Sequence, residues 1–172
     1  MSRRHGVDGG APEHAPGRTP GEAFAQAQAQ SLGQSLGRLE FTTRGRGFLD
    51  ITAELGCFLA GRRAIDGLLT VFLRHTSASL TIQENADPDV LADLGTALDR
   101  LAPENAGWRH TMEGPDDMPA HIKAALTGVS LAIPVMDGRL ELGTWQGVYL
   151  VEHRSRPHLR GVTAHFLGTF RP

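Results

Sequence analysis

Cysteine is almost absent from this 172-residue chain: Cys57 stands alone, so no internal disulfide framework can form. A basic excess is missing too. Seventeen Lys and Arg against nineteen Asp and Glu leave a formal net charge of −2, which argues against nucleic acid or an anionic membrane surface as partner. No apolar run is long enough to cross a bilayer. The N-terminal arginines are not followed by an apolar h-region, which predicts no secretory signal and, with the lone cysteine, a cytoplasmic protein. There is no P-loop, no GxGxxG and no CxxC. "SAS" (residues 77–79) lacks the glycines of a nucleophile elbow, so a serine-hydrolase reading has no support. No internal repeat is present.

What remains is ordinary globular composition, 40% apolar and 21% charged, in a length that suits one domain with a real core. Residues 1–37 are Gly, Pro, Ala and Gln with almost no β-branched or aromatic side chains. Such a segment buries too little apolar surface to offset its ordering entropy, so a disordered tail is expected, with a short helix around 22–30. The folded domain is expected over 38–172. "RLEFTT" and "GFLDIT" read as strands, and "AELGCFLAG" as a helix that buries Cys57 as an inert thiol. "GLLTVFLRH" and "SASLTIQEN" read as strands. Asp87 and Pro88 form an N-cap and first helical position for "PDVLADLGTALDRLA", whose Val90, Leu91, Leu94, Leu98 and Leu101 fall on one core-facing stripe. A long irregular loop, 103–119, precedes the short helix "PAHIKAALTG", which places His121 in its first turn. "VSLAIPV", the Asp-Gly turn and "LELGTWQGVYLVEHR" then read as a hairpin, with Thr144 and Gln146 on the polar side of a strand. The sum is an α+β domain with an antiparallel, β-sandwich-like core and two or three helices.

Polar chemistry concentrates at the two ends of one strand. "HTSASLTIQENADPDV" opens with His75, Thr76 and Ser77 and closes with Glu84, Asn85 and Asp87. His75 at a strand end, His110 in the long loop and His121 at a helix start are where a scaffold can converge metal ligands. Each of the three can equally be a hydrogen-bonded surface residue. Glu84, Asp87 and Asp117 are candidate general bases or ligand-orienting carboxylates. Asp87 can equally be only a helix cap, and Asp117 only a first-turn charge favoured by the helix dipole. Thr76, Ser77, Asn85 and Gln146 could line a polar pocket, and Lys123 and Arg154 could hold phosphate.

"HTSASLTIQENADPDV", "EGPDDMPAHIKAAL" and "GRLELGTWQGVYLVEHR", in this order and spacing, resemble the YjbQ-type family, whose members are often labelled secondary thiamine-phosphate synthases. The resemblance runs from about Leu39 to Gly168. It implies a small α+β domain with a sandwich core, assembled as a homotrimer. It also implies a divalent metal, zinc in the first place, on His75, His110 and His121, with Glu84, Asp87 and Asp117 as the acids. The activity implied joins a pyrimidine methyl diphosphate to a thiazole phosphate with loss of pyrophosphate. That chemistry needs charge neutralisation on the leaving group, by Mg²⁺ or by Lys and Arg. "PDDMP" is the nearest approach to a diphosphate-binding acidic cluster, so synthase activity is expected to be weak or secondary. Metal-dependent hydrolysis of a small phosphorylated or polar metabolite is the competing enzymatic reading. A trimeric protein that binds metal or metabolite without turnover is the non-enzymatic one.

Overall fold

A computed structural model describes residues 31–172, and the short helix expected around 22–30 lies outside them. Two antiparallel sheets face each other across one core. The five-stranded sheet runs in the order β1 (Gly33–Thr42), β8 (Leu159–Phe170), β3 (Ala64–Leu73), β5 (Ser130–Met136), β6 (Arg139–Leu140). The three-stranded sheet runs β2 (Gly47–Asp50), β7 (Gln146–Glu152), β4 (Ala78–Glu84). Leu69, Val71, Ile133, Val162 and Phe166 from the first sheet meet Leu80, Val148 and Leu150 from the second, with Ile51, Leu55 and Leu59 beside them. Three helices complete the α+β fold: α1 (Thr52–Gly61), α2 (Pro88–Leu101) and α3 (Asp117–Thr127).

Several expectations need correction. The first strand begins at Gly33, ahead of the expected boundary at 38, because long β8 pairs with it residue by residue from Gly33 with Gly168 to Thr42 with Leu159. Its glycines disguised it. A Cβ on Gly37 would run into the Phe58 ring, and one on Gly33 into Phe170, so small residues are required where aromatic rings press on the strand. Cys57 is exposed rather than buried. Helix α1 turns Leu55, Phe58 and Leu59 inward, and residue 57 falls off that face. The apolar stripe of α2 is only half-buried at Val90, Leu91, Leu94 and Leu98, and Leu101 is exposed. "GTW" is a turn rather than part of a strand, closed by the Gln146 amide donating to Gly143 O at 2.9 Å.

Strand β4 is regular. It pairs with β7 without a bulge from Ala78–Glu152 to Glu84–Gln146. Six steps of extended chain separate the two ends of β4 by about 20 Å. The polar groups before Ala78 and those from Glu84 onward therefore lie at opposite ends of the strand.

Candidate functional site

Helix α3 starts where the loop reaches Asp116 and Asp117, with Pro119 in its first turn, where a missing N–H costs nothing. Asp117 and His121 are four residues apart, so they stack on one face of the helix, and His121 sits in the second turn rather than the first. Their side chains meet: His121 Nε2 lies 3.3 Å from Asp117 Oδ2. The loop carries His110 back to the same oxygen, with His110 Nε2 at 2.7 Å. The two imidazoles pack edge-on, their centroids 5.8 Å apart. Asp117 itself is buried, while both rings are partly open to solvent.

The second oxygen of Asp117 is held by Arg154, which follows β7. The same guanidinium donates to the Glu113 carbonyl at 2.6 Å. Its Nε lies 3.3 Å from Asp116 Oδ2, yet that nitrogen makes no aligned hydrogen bond among the described residues. Asp116 Oδ2 accepts instead from the Ser155 amide at 2.7 Å and the Ser155 hydroxyl at 2.9 Å. Burial would raise the Asp116 pKa, but the two Ser155 hydrogen bonds and Arg154 outweigh it and bring it down to about 2. Loop 103–119 is thus pinned to the end of β7 by paired carboxylates and one arginine.

His110, Asp117 and His121 form a group whose ligand atoms lie within 4.8 Å of one another. His75 is not part of it. Its Nε2 accepts from the Gly161 amide at 2.8 Å. Burial and the nearby Arg160 lower its pKa. His75 does share a wall with His121: both line an open hollow of about 780 Å³ with Phe72, Leu73, Ala124 and Val129. Thr76 lines the same hollow.

The other anticipated residues divide. Glu84, Asn85, Asp87 and Gln146 occupy the far end of β4, away from His75, His110 and His121. Asp87 caps α2 by accepting from the Asp89 amide at 2.9 Å. Asn85 donates to the Gln146 carbonyl at 3.2 Å, and Gln146 Oε1 accepts from the Gly143 amide at 2.8 Å, so both amides serve the turn. Lys123 is buried against Asp99 and ties α3 to α2. Ser77 Oγ accepts from Arg160 at 3.2 Å.

Residues that sequence reasoning passed over complete the near end. Glu152, fully buried, takes two hydrogen bonds from Arg160, at 2.8 and 2.6 Å, and one from Thr43 at 2.8 Å. Burial opposes its ionisation, but Arg160, the Arg154 amide and Thr43 lower its pKa. His153, also buried, shares a 2.9 Å hydrogen bond with Ser79. Burial and Lys123 push its pKa down to about 4. The signal for this pair was available: an acid and an imidazole closing the otherwise apolar run "GVYLVEH".

A sequence profile for the UPF0047 protein YjbQ-like family matches residues 37–169. The chain is 52% identical over 131 residues to UPF0047 protein sll1880 of Synechocystis sp., covering 76% of this chain and 89% of the relative. It is 47% identical over 131 residues to UPF0047 protein YjbQ of Salmonella typhimurium, covering 76% and 95%. A crystal structure of an uncharacterised yjbq/upf0047 protein from Clostridium acetobutylicum superposes with a TM-score of 0.68 at 38% identity, over 74% of this chain and 98% of that one.

Proposed function

The chain belongs to the UPF0047 protein YjbQ-like family, and from that premise we propose a divalent-metal enzyme acting on a small phosphorylated or polar metabolite. The observation that carries the reading is the convergence of His110 and His121 on one oxygen of buried Asp117, at the edge of an apolar hollow. Two imidazoles and a carboxylate are a donor set suited to a catalytic zinc ion with an open position. Bound there, the ion would polarise a substrate oxygen or lower the pKa of a water. The chain's own residues do the rest. Arg154 fixes Asp117 through its other oxygen, so that Oδ2 stays turned to the rings. The hollow beside His121 gives an apolar body a place to sit and keeps water from part of it.

Thiamine-phosphate synthase activity, the finer reading from the family resemblance, is proposed as a secondary one. The acids of "PDDMP" are engaged with Ser155, Arg154 and the histidines, so no free pair is left to hold Mg²⁺ on a leaving diphosphate. Metal-assisted hydrolysis of a phosphate ester is the second reading. It is favoured by Arg156, which has no ion-pair partner among the described residues and lines a neighbouring polar cleft of about 860 Å³ whose other arginines, Arg46 and Arg154, are paired with acids. Glu84 and Asp87 could act at this centre only from a neighbouring copy. The proposed homotrimer would supply one, and the outward face of the larger sheet, where Leu36, Leu68, Phe72 and Leu167 are exposed, suits such packing.

No helix among the described residues is long and apolar enough to cross a membrane, and a cytoplasmic location is part of the proposal. The test is metal content per subunit, followed by turnover of pyrimidine methyl diphosphate with thiazole phosphate and of simple phosphate esters, in wild type and His121→Ala. Stoichiometric metal and turnover lost together in a folded variant support the enzyme. Metal without turnover of any substrate leaves a binding protein, and no metal sinks the reading.

A further inference from the structure

His75 lines the hollow beside His121 but stands outside the His110, Asp117 and His121 group. We propose that His75 is not a metal ligand but a fixed, neutral hydrogen-bond donor, presenting Nδ1–H to an acceptor atom of the molecule held in that hollow. The proposal deepens the reading of the hollow as a substrate site and rests on it, but it does not need the metal.

A backbone amide fixes the tautomer of the ring. Gly161 N–H lies 2.8 Å from His75 Nε2, and an amide N–H can only donate. Nε2 must therefore present its lone pair, which places the proton of the neutral ring on Nδ1. Both nitrogens are then closed to a metal. Coordination through Nε2 would displace the amide and leave it unpaired. Coordination through Nδ1 would move the proton to Nε2, where it would meet the amide hydrogen.

Gly161 cannot readily move aside. Its carbonyl accepts from the Arg74 amide at 3.0 Å. Arg160, its chain neighbour, is clamped to buried Glu152 through two nitrogens. The ring thus continues the β3–β8 ladder, supplying an acceptor where the next backbone carbonyl would stand. Nδ1 has no hydrogen-bond partner among the described residues and is not one of their sealed, unpaired atoms, so it is open to a ligand. Phe72, Leu73, Ala124, Ala125 and Val129 make most of the surrounding wall apolar, with Arg74, Thr76 and His121 as its polar members, and a donor beside an apolar wall binds an acceptor more strongly than it would in open water. The ligand class that fits is an apolar body carrying a carbonyl, carboxylate or ring nitrogen.

The test is ¹⁵N–¹H NMR of imidazole groups in the full-length, ¹⁵N-labelled protein, assigned with single His→Ala variants. Benzoate serves as the apolar-bodied acceptor probe and Co²⁺ as the metal probe. The expected result has three parts. His75 shows the Nδ1–H tautomer at neutral pH, its Nδ1–H signal moves and saturates with benzoate, and His75→Ala weakens benzoate binding by about tenfold. Co²⁺ leaves His75 outside the strongly shifted ligand signals.

An Nε2–H tautomer, an Nδ1–H signal indifferent to benzoate, or His75 among the Co²⁺-ligated rings would overturn the proposal. Where His75→Ala does not fold, the wild-type tautomer and titration decide alone. Failure of Co²⁺ to shift His110 and His121, with His75 behaving as described, would sink the metal centre and spare the donor.

Discussion

His110 Nε2 and Asp117 Oδ2 lie 2.7 Å apart, and His121, one helical turn beyond Asp117, approaches the same oxygen. A single carboxylate oxygen thus organises both rings, while Arg154 neutralises the other oxygen. Asp117→Asn keeps the volume but turns one acceptor into a donor and removes the charge. Zinc affinity should fall at least about tenfold, measured by competition with a chromophoric chelator. Asp117→Ala should also cost about 1–3 kcal/mol in urea unfolding, because largely buried Arg154 loses one carboxylate partner and keeps only Asp116 and the Glu113 carbonyl. Zinc affinity unchanged in Asp117→Asn would mean that the carboxylate is not a ligand.

His153 sets a pH dependence of a definite sign. Its folded pKa, about 4, lies below the ordinary value of 6.5. Between those values the unfolded chain binds the extra proton, so its contribution is complete above pH 6.5 and is lost as pH falls toward 4. The loss across that window should be roughly 3 kcal/mol. His153→Gln should flatten the urea midpoint over this range. An equally steep slope in the variant would assign the effect elsewhere.

Glu152 acts in a lower window. Its folded pKa is depressed, so its stabilisation is present above the ordinary 4.5 and is lost as pH falls below it. At neutral pH, Glu152→Ala should cost about 3–5 kcal/mol, because Arg160 would stay buried without its partner. The double variant with Arg160→Met should recover part of that loss, and a double-mutant cycle reads the coupling. Strict additivity would show that the pair is not coupled.

Gly67 and Gly168 face each other across β3 and β8 beside a register shift. A Cβ on Gly67 would be driven into the Leu167 carbonyl, and one on Gly168 into the Asp66 carbonyl. Gly67→Ala should lower stability by about 2 kcal/mol or more, since the obstructing atoms are backbone. A thermal midpoint equal to wild type would show that the strands separate at little cost.

The strands and helices rich in branched or periodic apolar residues were legible in the sequence as elements, because apolar periodicity sets the element type, whereas how deeply each one is buried was not. β4 alternates, α2 carries its Asp87–Pro88 start, and the sandwich class follows from several short strands. The first five residues of β1 and the exposure of Cys57 were not legible, since both depend on where Phe58 and Phe170 pack. The site divides in the same way. Asp117 and His121 were each singled out, but their stacking was not, because the helix was expected from Pro119 and in fact starts at Asp117, while Arg154 was readable as an anion partner. Tertiary structure alone chose what each one meets: His110 joins them through loop closure, His75 turns to the Gly161 amide, and Glu84 and Asp87 go to the far end of a straight strand. The physical reason is that sequence patterning fixes local periodicity, whereas hydrogen-bond partners between distant residues are fixed only once the sheets have packed and each buried polar atom has to find a mate.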